Sequence, residues 1–143
     1  MKHNGFTLIE ILVVTAIVGI ILSFGMTIDV NAVKGDTLQA EKLTIVSALE
    51  RARSHAMANM FDDNHGFCYI EPNYVVFKGN NCVNTNSELI PANVNIASDA
   101  STSFPDKIVF ERLTGRTTPT TLQISHGLFG ANIKINNEGT IDW

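Results

Sequence analysis

The sequence predicts an α+β fold: one long N-terminal helix packed against a mostly antiparallel β head. Three observations predict it. Residues Phe6 to Ile28 are almost wholly apolar. The stretch up to Met60 carries an apolar stripe at helical spacing, and the remainder breaks into short β-rich runs between turn residues. With 143 residues the chain has room for one domain with a modest core. The expected organisation is a short leader at 1–5, an apolar helix at 6–28, an amphipathic continuation at 29–60 and a β-rich head at 61–143.

The apolar run comes first. As a helix, Phe6 to Ile28 spans roughly 30 Å, the thickness of a bilayer's hydrocarbon core. Its many β-branched residues do not argue against helix, because lipid demands that backbone groups pair internally. Lys2 and His3 precede the run, with no acidic residue. The positive-inside rule then puts the N-terminus in the cytoplasm and everything after residue 28 outside it. A secretory signal peptide would carry a shorter apolar region and a small-x-small cleavage site. Ser23-Phe24-Gly25 is only a weak form of that site. Glu10 interrupts the run, and a carboxylate near lipid costs on the order of 2.5–3.5 kcal/mol on insertion scales. Either it lies close enough to the cytoplasmic surface to stay hydrated, or it has a function.

Beyond the run, Gly35-Asp36 reads as a break, with Asp36-Thr37 able to cap a fresh helical stretch. Ile45, Leu49, Ala52, Ala56 and Met60 then recur every three or four residues and form one stripe, with Glu41, Arg51 and Arg53 expected on other faces. Ser54 and His55 are adjacent and so point to different faces of a helix. They cannot serve as nucleophile and base for each other.

The head is read from alternation and turns. Phe67 to Ile70 and Tyr74 to Phe77 are β-rich, with Glu71-Pro72-Asn73 as a hairpin turn. Val94-Asn95-Ile96 reads as a weak strand. Ile108 to Phe110, Thr121 to Ile124, Ala131 to Ile135 and Thr140 to Trp143 complete the set. Gly139 can take the left-handed conformation that the last hairpin turn requires.

Chemistry is sparse. His3, His55, His65 and His126 are scattered, and Asp62-Asp63-Asn64 lacks the alternation of a calcium loop. There is no phosphate-binding glycine loop and no nucleophile elbow. The expectation is a protein that is not an enzyme and uses no cofactor. A net charge of −4 argues against a general nucleic-acid binder, which needs a basic face. Cys68 and Cys82 either bridge in an oxidising compartment or remain separate thiols, because sequence does not supply their separation.

Gly5-Phe6-Thr7-Leu8-Ile9-Glu10, behind a short basic leader and ahead of an unbroken apolar stretch, resembles the prepilin signature of type IV pilins and type II secretion pseudopilins. The resemblance implies cleavage between Gly5 and Phe6 by a prepilin peptidase and methylation of the new Phe6 amine. It also implies that Glu10 pairs with the N-terminal amine of a neighbouring subunit. A lone buried carboxylate is unfavourable, and a neighbour's ammonium supplies its partner. Many major pilins kink this helix with a proline. None occurs here before Pro72, which leaves Gly19, Gly25 and Gly35 as the weak points. LERARSHAMAN…GFCYI, IVFERLTGRTTPTTLQIS and the closing IKINNEGTIDW look like the H-type minor pseudopilins and related minor pilins. The implied partners are other pilin-type subunits, the peptidase and inner-membrane lipid. The implied location is the inner membrane, spanned once, and then a pilus or pseudopilus. Two alternatives stand beside this. One is a minor pilin that binds DNA through Arg112, Arg116 and Lys134. The other is an unrelated single-pass anchored domain.

Overall fold

The computed structural model describes residues 7–25, 30–85 and 87–143. Two compact units emerge, Met1–Asn31 and Ala32–Trp143. The architecture is α+β, with an N-terminal helix and antiparallel sheets.

In the first unit, helix α1 runs Leu8–Gly25. It starts where Thr7 accepts the Glu10 N–H on both its carbonyl (3.1 Å) and its hydroxyl (3.3 Å), so Thr7 caps the helix. Gly19 sits inside α1 without breaking it. Every side chain from residue 7 to residue 23 is exposed. Among the described residues no helix is long and apolar enough to cross a membrane. The 18 residues of α1 reach about 27 Å, short of a hydrocarbon core of about 30 Å. Of the span expected at 6–28, residues 6 and 26–28 lie outside the described residues.

Helix α2, Val30–Met57, belongs almost entirely to the second unit. It corrects the expected break: Gly35 and Asp36 lie within it, and Asp36 starts no new helix. Glycine costs a helix about 1 kcal/mol, too little to end one whose buried face continues beyond it. The Thr37 hydroxyl folds back onto the Val33 carbonyl at 2.7 Å. Leu38, Ile45, Val46, Ala48, Leu49, Ala52 and Ala56 are buried. Met60 is not in this stripe. The helix has ended, and Met60–Asp62 form a single 3₁₀ turn. Glu41 was expected to face away, yet it is only 8% exposed.

Seven strands follow, β1 His65–Ile70, β2 Asn73–Lys78, β3 Glu88–Pro91, β4 Ile108–Phe110, β5 Thr120–His126, β6 Phe129–Ile135 and β7 Ile141–Asp142. They form a four-stranded antiparallel sheet, β3-β2-β1-β4, and a three-stranded one, β5-β6-β7. The first hairpin pairs Phe67 with Val76 and Cys68 with Val75. Its strands are buried on both faces, which is why they read as continuous apolar runs. One face (Phe67, Tyr74, Val76) joins the main core with α2, Leu122, Ile124, Ile133 and Ile135. The other (Cys68, Val75, Phe77) forms a small cluster with Cys82 against it.

Val94-Asn95-Ile96 is not a strand. It lies in a one-turn helix α3, Val94–Ala97, whose N-cap Asn93 accepts the Asn95 N–H at 3.1 Å. A short apolar alternation cannot be told from one helical turn by periodicity, and the Asn cap decides it.

Candidate functional site

Glu10 falls in the first turn of α1, three residues after its cap. Thr7-Leu8-Ile9-Glu10 has the T-x-x-E spacing of a capping box, a signal that the membrane-based reading passed over. The carboxylate is exposed and has no ion-pair partner among the described residues. Its position near the positive end of the helix dipole is favourable for a negative charge. Gly5 and Phe6, the residues of the expected cleavage and methylation, lie outside the described residues. Helix α1 is apolar all round, with Leu8 82% and Ile9 66% exposed at its start. A helix of that kind needs cover from lipid or from other protein.

In the head, Cys68 and Cys82 form a disulfide with Cα atoms 6.2 Å apart. It ties the loop after β2 over the smaller core cluster. Glu41 accepts the Tyr74 hydroxyl at 2.7 Å and the Asn93 N–H at 2.8 Å, which joins α2, β2 and the start of α3. Burial and the Glu41 carboxylate together push the Tyr74 pKa far up, so the phenol stays a donor. Sequence reasoning missed Glu41, although its position between Leu38 and Ile45 matches the buried phase.

Three separate sequence runs meet where α2 ends. The Leu113 N–H donates to the Ala56 carbonyl at 2.9 Å, closing the helix terminus. The Arg53 guanidinium donates to the Glu138 carbonyl at 3.2 Å. Gly115 (φ +66°) and Gly139 (φ +76°) face each other so closely that a Cβ on Gly139 would collide with the Gly115 carbonyl oxygen. Position 139 therefore requires glycine, and a Cβ on Gly115 would press on the Met57 side chain.

Several of the other singled-out residues have structural partners. Arg112 pairs with Asp62. Asp63 accepts the Asn64 N–H at 2.8 Å, and Asn64 in turn accepts the Arg112 N–H and donates to Asn80. His55 packs edge-on against His65 at 5.4 Å, and no Ser54–His55 pair forms. Arg116 lines a cleft of about 480 Å³ with Glu111, whereas Lys134 lines a different groove with Asp142. Among the described residues no three His, Cys, Asp or Glu side chains gather as a metal site needs.

Residues 1–26 match the family model of the prokaryotic N-terminal methylation motif. No curated protein and no solved structure matches the chain. The match spans the leader, Gly5-Phe6, Glu10 and all of α1. That motif, confined to residues 1–26, supports a type IV pilin-like protein.

Proposed function

We propose that the protein is a minor pilin or pseudopilin, a structural subunit of H-type character rather than an enzyme. Prepilin peptidase cuts it between Gly5 and Phe6 and methylates the Phe6 amine. Residues 6–28 anchor it in the inner membrane before assembly, with the head outside the cytoplasm. The helix then exchanges lipid for the helices of neighbouring subunits. Glu10 pairs with a neighbour's Phe6 amine and sets the register.

The observation that carries this reading is the methylation-motif match over residues 1–26, on a helix whose one carboxylate is exposed and unpaired within the described residues. The convergence of the α2 end, the Thr-Gly-Arg turn and the last hairpin turn supports the H-type assignment, because the scattered motifs behind that resemblance form one packed unit.

Mass spectrometry of the mature N-terminus tests it. The expected product begins at methylated Phe6. An intact Met1, or a start elsewhere, overturns the reading.

A further inference from the structure

We propose that the β5–β6 hairpin tip, Leu128 and Phe129 next to a Gly127 that lies beside Lys34, is a lipid-contacting point that rests the head on the outer surface of the membrane before assembly. The proposal builds on the reading of residues 6–28 as a membrane anchor.

Leu128 is 94% exposed, more than any other large apolar side chain among the described residues, and Phe129 follows it at 39%. The tip is not a frayed end. Gly127 turns the chain at φ +66°, and its N–H donates to one oxygen of Asp99 at 3.2 Å. The Ser125 hydroxyl donates to the other oxygen at 2.6 Å, and the Ser101 N–H does so at 3.0 Å. The Asp99 charge is therefore committed inside the loop, and its pKa is held below the ordinary carboxylate value by those donors, Ser125 foremost. A rigid turn thus presents an apolar residue to the outside, where a hairpin tip ordinarily carries polar ones.

Its place in the chain suggests what covers it. A Cβ on Gly127 would lie 3.7 Å from the Lys34 ammonium, so the tip sits beside the start of α2. Lys34 comes only six residues after Ile28, the end of the apolar run. Six residues reach at most about 22 Å, and less where they are helical. Chain length alone therefore keeps Lys34 within about 22 Å of the end of the apolar run. An ammonium beside an apolar tip suits an anionic headgroup layer over acyl chains. Two side chains are far too little surface for a stable protein interface, which needs about 800 Å² per partner. A single apolar finger suffices when an anchor already holds it at the surface.

The test uses the full chain in vesicles of equal parts brominated phosphatidylcholine and phosphatidylglycerol. Trp143, the sole tryptophan, is replaced by Phe. Single tryptophans are then placed by V14W in α1, by L128W at the tip, or by L113W beyond the far end of α2. Leu128 and Leu113 are exposed, so both sites tolerate the larger ring. The expected result is strong quenching at 14 and quenching at 128 about threefold above that at 113. Quenching at 14 with 128 no higher than 113 overturns the proposal and leaves the anchor intact. Shielding of position 128 only after filament assembly would then assign the tip to a subunit contact. No quenching at 14 overturns the anchor reading, and the proposal with it. Equal quenching at all three positions also overturns it, because the head would then meet lipid without a preferred face.

Discussion

Glu10 and Glu41 are carboxylates on helices with apolar neighbours, and only Glu41 has its partners within the described residues. Glu41 finds its partners within the fold, in the Tyr74 hydroxyl and the Asn93 amide. Glu41→Ala strands both donors, and the expected loss is about 2–4 kcal/mol of stability by urea unfolding. Tyr74→Phe in the same chain should recover part of that loss, since it removes one stranded donor. Additive losses would show that the two groups are not coupled. Glu10 has no partner among the described residues, and we expect its partner in a second subunit. Glu10→Ala is expected to leave processing intact and to lower filament incorporation at least about tenfold, because removing one member of a buried ion pair costs several kcal/mol. Normal incorporation would sink the assembly role. Glu10 was legible in sequence because it breaks an apolar run. Glu41 was not, because a charge on an amphipathic helix is read as solvent-facing unless its phase is checked against Leu38 and Ile45.

Elements were legible where their pattern was long or strongly punctuated. The hairpins around Glu71-Pro72 and Asn136–Gly139 appear where turn residues marked them. Two readings failed for local reasons. Gly35-Asp36 did not stop α2, because the buried face resumes at Leu38 and holds the helix together. Val94-Asn95-Ile96 became a helical turn once Asn93 capped it. The bridge between Cys68 and Cys82 belongs to this scale too, since it fastens a long polar loop to β1. With a sequence separation of 14, replacing both cysteines by serine should cost about 3 kcal/mol in the chain-entropy model. Urea midpoints of the oxidised chain and the double variant would measure it. Equal midpoints would mean that the loop contributes no constraint to the unfolded chain.

At the scale of the whole head, both sheets and α2 enclose one core, with a smaller cluster behind the first sheet. His65 sits where α2, β1 and β2 meet. It is 3% exposed, it packs against His55, and its Nδ1 is buried without a partner. Burial first, and then the neighbouring His55, lower its pKa below the ordinary 6.5. The unfolded chain therefore takes up this proton before the folded one does. The resulting stability is present above about pH 6.5 and is lost as pH falls through the folded value. Thermal melts of the full chain should show a drop between pH 7.5 and 5 that His65→Gln reduces. An unchanged slope in that variant would assign the acid sensitivity elsewhere. Sequence alone determined the N-terminal motif, the apolar helix, the α+β class and most strands. Each of these is written in contiguous residues, as a run, a period or a turn. Only the tertiary structure decided that Glu41 is buried, that Cys68 meets Cys82, that Gly115 must touch Gly139 and that Gly127 stands beside Lys34. These contacts join residues from 14 to 93 positions apart, and no local pattern encodes which distant surface a side chain will meet.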